Sequence, residues 1–301
     1  MQLDKQGIWF ALGAYIMWGI APLYFHQVSF VPPMEVLSHR VVWSCVLVIL
    51  LILALGKWRQ TRDVLKQPRS VKFLLLSSAL IGLNWLVFIW AINNGKLLDA
   101  SLGYFINPLI SVGLGMLFFK EKLRRLQVLA VSMAVIGVLI QLILFGELPW
   151  VALVLAFTFA FYGMVRKKVG VDSLTGLGVE TFLLVPLAVI YLTISNSPTS
   201  NLVQNTTEIN LWLAASGLVT TLPLLCFAAA ANRLPLSVLG FFQYISPSML
   251  FLMAIMVFGE PFEVYKLITF AFIWLALACF VFDAWYNQRS TPLARVPAGK
   301  L

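Results

Sequence analysis

Four ionisable side chains stand inside otherwise apolar stretches: His39 and Arg40 in "EVLSHRVVWS", Asp99 in "KLLDASLGYF", and Glu180 in "GLGVETFLLVP". In the middle of a lipid bilayer such a group costs about 2.5–3.5 kcal/mol, so each needs a partner or a function. Arg40 is open to two readings. A guanidinium that snorkels to the interface anchors its span, whereas one turned inward binds an anionic or strongly polar substrate group, or closes a gate on a carboxylate. Trp43, three residues on, shares the helix face and places an aromatic wall beside that cation. Glu180 either bonds a polar group of a neighbouring helix or, because burial opposes its charge, carries a coupling proton or acts as a gate. His39 either titrates near neutral pH or satisfies one hydrogen bond. Asp99 falls in a first helical turn, where the helix dipole favours a carboxylate.

Aromatic and amide residues in the same stretches are the remaining candidates for a substrate cavity. They are Tyr15, Trp18, Asn84, Asn93, Tyr104, Asn107, Tyr162, Gln243 and Tyr244. An amide facing lipid leaves its donors unsatisfied, so Asn84, Asn107 and Gln243 are expected to face protein or water. Trp85 and Trp90 fit an interfacial belt or helix packing equally well. Pro108 and Pro247 remove a backbone donor and are hinge candidates.

Enzymatic chemistry finds little support. His26 and His39 are read here as having no acidic partner at helical spacing, and Cys45, Cys226 and Cys279 show neither disulfide nor metal-site spacing. No phosphate-cradling loop, metal or cofactor is implied, so any pumping draws on an ion or substrate gradient.

The elements that hold these residues follow from composition. Only 11% of the 301 residues are charged, against roughly 25% in soluble proteins, so the solvent is lipid. About twenty apolar residues cross a hydrocarbon core of about 30 Å, and ten such stretches are present: 7–26, 35–55, 72–92, 98–119, 124–144, 149–166, 173–195, 209–231, 236–258 and 262–284. Placed alternately, they put 18 of the 21 Lys and Arg on the side of the amino terminus, Arg166 among them. That side is therefore expected to be cytoplasmic, with both termini inside. The net charge of +9 reflects topology and attraction to anionic lipid, and no nucleic-acid partner is implied.

Sliding the chain by 139 residues aligns Phe88, Ala91, Asn93, Leu97, Ile106, Pro108, Phe119 and Glu121 with Phe227, Ala230, Asn232, Leu236, Ile245, Pro247, Phe258 and Glu260. The reading is two five-helix repeats, 1–146 and 147–288, followed by a disordered cytoplasmic tail, 289–301. An odd number of spans per repeat inverts the second against the first, an architecture of secondary transporters with substrate bound near the midplane. At an offset of 140, Glu180 is the counterpart of Arg40. Rise arithmetic separates the two, so they are not expected to form one salt bridge. Ser111 and Gly115 form a small-xxx-small pair suited to packing within a repeat, or to a homodimer.

Several motifs then carry a resemblance: "AYIMWGIAPLYF", "SHRVVWS", "NWLVFIWAINNGKLLDASLGYFINP", "AFYGMVRKK", "ETFLLVPLAVIY" and "GFFQYISPSMLFLMA". Together they resemble the RarD family, in the EamA branch of the drug/metabolite transporter superfamily, over roughly residues 7–288. The resemblance implies a ten-span inner-membrane permease of small molecules, with members linked by name to chloramphenicol sensitivity or resistance, and no agreed natural substrate. Transport by alternating access is the leading expectation. The rivals are an integral-membrane enzyme and a structural or sensory membrane protein.

Overall fold

The computed structural model describes residues 4–94, 97–145, 150–195, 197, 199–257 and 264–290. The chain is all-α over these residues, in twelve helices: α1 Lys5–Gln27, α2 Pro33–Ala54, α3 Trp58–Leu65, α4 Pro68–Asn93, α5 Leu97–Phe119, α6 Arg125–Phe145, α7 Trp150–Val169, α8 Ser173–Ile194, α9 Thr207–Arg233, α10 Leu236–Gln243, α11 Ile245–Met256 and α12 Val264–Ser290. Six of them are long and apolar enough to cross a membrane. Large side chains such as Leu50, Leu117, Ile143, Leu187 and Ile194 stay exposed on the outside. A helix satisfies its own backbone groups, which is what an apolar solvent demands. The protein is a multi-pass membrane protein.

The ends of the helices are written in their sequence. Asp4 accepts the Gly7 amide at 2.9 Å and Asp172 accepts the Thr175 amide at 3.1 Å, capping α1 and α8. Pro33 opens α2, where a missing donor is harmless. At the other end of α2, Gly56 adopts φ +65 and the Lys57 amide donates to the Ile52 carbonyl at 2.9 Å. This reversal suits glycine, which carries no Cβ to clash in the left-handed region.

Two expectations need correction. The stretch 236–258, read as one span, is broken at Tyr244 into α10 and α11. Pro247 removes the donor that would have bonded the Gln243 carbonyl, and the helix parts one turn before the proline. Pro108, its counterpart, sits inside an unbroken α5. The short α3 was also not foreseen; its polar sequence packs Thr61 and Val64 inward and leaves the charges out.

Lys57, Arg124, Lys167 and Arg233 gather at one end of the bundle, here the basic end. Lys57 Nζ meets Asp172 Oδ1 at 2.7 Å and Arg124 reaches the buried Asp283 at 2.5 Å. The link between α9 and α10 is clamped from two sides. Glu121, just past α5, accepts the amides of Leu236 at 2.7 Å and Ser237 at 2.8 Å, and the Ser237 hydroxyl at 2.6 Å. Lys167 of α7 donates to the carbonyls of Ala231 and Leu234. Gly7 of α1 abuts Leu234 as well, so α1 begins and α7 ends at the same end. Ser111 and Gly115 face α10 through Gly240, Gln243 and Ser237, so this pair packs α5 against a helix of the second expected repeat and not within its own.

Inside the bundle, α2 packs on α8 and α9, α7 on α4 and α5, α1 on α9 and α11, and α6 on α12. The closest approach of α9 to α2 is at Gly217, where an added Cβ would lie 2.6 Å from the Trp43 backbone carbon. Gly217→Val is therefore expected to lower the melting temperature in detergent sharply. Gly113→Ala, which meets nothing within 4 Å, should raise stability by about 0.5–1 kcal/mol through the helix preference for alanine. The Asp172 tie is pH-dependent. Burial alone would raise this carboxyl, but the Lys57 bond, the Thr175 amide and the Lys57 charge outweigh it and hold it below its ordinary range. A depressed value contributes stability above the carboxyl's ordinary range and loses it as pH falls through that value. Asp172→Asn should thus cost melting temperature near neutral pH and little in acid.

Candidate functional site

Arg40 projects from the second turn of α2. Its Nε donates to Thr220 Oγ1 at 2.8 Å, at the midpoint of α9. The guanidinium lies 5.3 Å from the centre of the Phe25 ring and 5.2 Å from that of Trp85, a distance at which a cation is drawn to an aromatic face. The hydroxyls of Tyr24 and Tyr104 are within electrostatic reach, and Tyr104 is 41% exposed. Among the described residues no carboxylate pairs with it. The side chain is turned to the middle of the bundle, away from the interface that snorkelling would seek. Trp43 does not join it. It lines a groove with Leu202, Thr207, Asn210, Leu211 and Ala214, and its backbone abuts Gly217 of α9, whereas Arg40 bonds Thr220.

Glu180 has a separate set of partners. It lies in the second turn of α8, 2% exposed, with Arg166 Nη1 at 3.5 Å and Arg166 itself 1% exposed. Ser77 of α4 donates to Oε1, and the Tyr162 hydroxyl of α7 donates to Oε2 at 3.4 Å. Arg166 Nη2 also donates to the Ser173 carbonyl at 3.3 Å. The guanidinium occupies the space over Gly176, where any Cβ would fall 1.8 Å from Nη1. Placing Arg166 in the basic belt is therefore corrected: its side chain turns back along α7 to neutralise Glu180. Arg40 and Glu180 do not meet.

The remaining candidates hold helices together. Tyr15, Trp18 and Tyr162 join Phe159 and Phe227 in one aromatic cluster, with Tyr162 stacked on Phe227 at 5.7 Å and Trp18 edge-on to Phe159 at 5.6 Å. Asn84 Nδ2 donates to the Leu155 carbonyl at 2.8 Å and to Thr158 at 2.9 Å. Asn107, Ser111 and Gln243 form a chain of hydrogen bonds from α5 to α10, and the Tyr244 hydroxyl donates to the Phe105 carbonyl at 3.3 Å. Tyr15, Asn107, Tyr162, Gln243 and Tyr244 are all buried, so in this structure they are packed against protein and not against an open cavity. Asn93 ends α4, and its side chain, like that of Asp99, lies outside the described residues.

One residue was missed. Glu35 stands four positions before His39, so, against expectation, His39 has an acidic residue at helical spacing. Both are buried, at 0% and 2% exposed. Among the described residues, neither Glu35 oxygen nor His39 Nε2 has a hydrogen-bond partner. The spacing alone could have revealed this pair.

A multi-pass α-helical bundle with buried charges at mid-depth defines a class of membrane proteins, and the comparisons narrow it. The model of the EamA-like transporter family matches residues 5–143 and again 149–282. Protein RarD of Salmonella typhimurium is 55% identical over 95% of this chain and 97% of its own length. Chloramphenicol-sensitive protein RarD of Pseudomonas aeruginosa is 35% identical over 92% and 94%. A solved crystal structure, 18% identical, shares the fold with a TM-score of 0.72 over 93% of this chain and 98% of that one. The chain belongs to the EamA-like transporter family, and within it to the RarD proteins.

Removing one member of a buried ion pair leaves the other charge uncompensated, at a cost of about 3–5 kcal/mol. Glu180→Gln should therefore destabilise the detergent-solubilised protein strongly. The double variant Glu180→Met with Arg166→Met should recover most of the loss, as thermal melting would show.

Proposed function

We propose that this protein is a secondary transporter of small molecules in a bacterial inner membrane, with both termini cytoplasmic. It works by alternating access between two inverted five-helix repeats, 1–146 and 147–288. Support comes from the shared register of the two halves and from the family model, which matches two successive segments. The meeting of the start of α1 with the end of α7 fits the same reading.

The observation that carries the proposal is Arg40: a cation at mid-depth, between two aromatic rings, with no carboxylate beside it among the described residues. An interior cation of this kind is expensive unless something anionic or strongly polar completes it. The substrate is accordingly an aromatic solute bearing such a group, taken by Arg40 with Trp85 and Tyr104 as walls. Chloramphenicol, with its nitrophenyl ring, is the first candidate, and a relative bears its name. The Glu180–Arg166 pair is the gate nearer the basic end, and coupling is to protons. Ser111 and Gly115 are used on α10, so a homodimer needs another face.

Flux into proteoliposomes tests this directly, using labelled chloramphenicol and a panel of aromatic carboxylates, with and without a pH gradient. At least one solute should move, and Arg40→Gln should slow it about 10- to 100-fold, the worth of a charged hydrogen bond. No flux across the panel, together with accumulation of a chemically altered product, would transfer the protein to the enzymes.

A further inference from the structure

Glu35 is the third residue of α2, at the end of the bundle opposite the basic one. Its side chain is completely covered, and both carboxylate oxygens lack a hydrogen-bond donor. An uncompensated carboxylate in such surroundings is among the most unfavourable arrangements a protein can hold. His39, one turn on, presents an equally buried Nε2 without a partner, and Glu35 is the charge acting on its imidazole. An apolar cluster of Val28, Val31, Val36 and Leu213 gathers at the same end, with Tyr24, Phe25, Ile209 and Trp212 packed on it.

Among the described residues, no neighbouring group neutralises Glu35. Arg40 follows on α2, but its guanidinium is committed to Thr220, Phe25 and Trp85. Among the described residues of the surrounding helices at this end the titratable groups are Tyr24 and His26 of α1, Tyr104 of α5, Tyr191 late in α8 and the exposed Glu208 in the first turn of α9. The last turns of α4 carry none. Two forces oppose each other at Glu35. Burial disfavours its charge, while the first turn of a helix favours it. Such a balance is tipped by a single proton, which the carboxylate or the imidazole can hold.

We propose that Glu35 and His39 form a proton-binding site that takes up and releases one proton in each transport cycle. With the proton on Glu35 or on His39 Nε2, the pair is neutral overall; without it, the pair carries one negative charge. The site is separate from Glu180, whose charge is already matched by Arg166. Its role in coupling rests on the transport reading, but its protonation does not.

The experiment is infrared difference spectroscopy of the purified full chain in lipid, between about pH 5 and about pH 8, the range in which histidine-linked sites change charge. A protonated-carboxyl band that appears at the acid end should vanish in Glu35→Gln, shift in His39→Gln, and persist in Glu208→Gln. It should also persist in the Glu180→Met, Arg166→Met double variant. A band that survives Glu35→Gln in a protein that still elutes as a folded species overturns the proposal, as does one lost only in the double variant. Proteoliposome flux is the second arm: Glu35→Gln should retain downhill chloramphenicol movement and lose its dependence on a pH gradient. If no solute moves but the band behaves as stated, the proton site stands and the transport reading falls. If solute moves and Glu35→Gln keeps full pH-gradient dependence, transport stands and the coupling role of Glu35 falls.

Discussion

Arg166 and Glu180 face each other 3.5 Å apart with almost no exposed surface, in a molecule whose outside is hydrocarbon-like. In that setting a charge cannot be left to solvent, and the helices around the pair supply its partners. Ser77 brings α4 to the carboxylate, Tyr162 brings α7, and Gly176 removes the one Cβ that would occupy the guanidinium's place. The pair is thus a junction of three helices. Buried ion pairs add little net stability over an apolar filling, so their value here is to determine which surfaces meet.

Set beside this junction, Arg40 is its electrical opposite. It occupies the matching position in the proposed repeat, carries the opposite sign, and lies among aromatic rings and hydroxyls instead of a countercharge. The Glu180 site therefore meets its charge with a countercharge, while Arg40 leaves a positive centre without one among the described residues. Glu35 lies on the same helix as that centre but is separated from it by Arg40's turn toward Thr220. A positive and a negative charge on one helix, neither with an ion-pair partner among the described residues, are difficult to explain as packing alone.

Helix positions were largely legible in the sequence because hydropathy over twenty residues is a strong, additive signal, and the helix limits fall within a few residues of the apolar stretches. What escaped was decided by single side chains. The break at Tyr244 depends on which of two prolines finds neighbours able to hold an open helix, and Pro108 and Pro247 look alike in one dimension. Arg166 follows the run "FYGMV" and precedes two lysines, so composition assigned it to the charged belt; only Gly176, ten residues later, makes room for it inside. Trp43 shares a helical face with Arg40 by spacing, yet the two meet different neighbours, Trp43 the groove beside Gly217 and Arg40 the Thr220 hydroxyl. The amides Asn84, Asn107 and Gln243 were correctly expected to avoid lipid, but whether they meet water or a neighbouring carbonyl is a matter of contacts that spacing does not contain.

The eight-residue helix α10 is held at its start by the Glu121 carboxylate and at its finish by Ser111 and the Phe105 carbonyl, all belonging to or adjoining α5. A segment fastened at both extremities to α5 is part of that helix's frame, even with Lys167 of α7 holding the link before it. Under the proposed two-repeat reading, the boundary along the chain and the boundary in the packing therefore need not coincide, because α10 of the later repeat is fastened to the α5 frame of the earlier one.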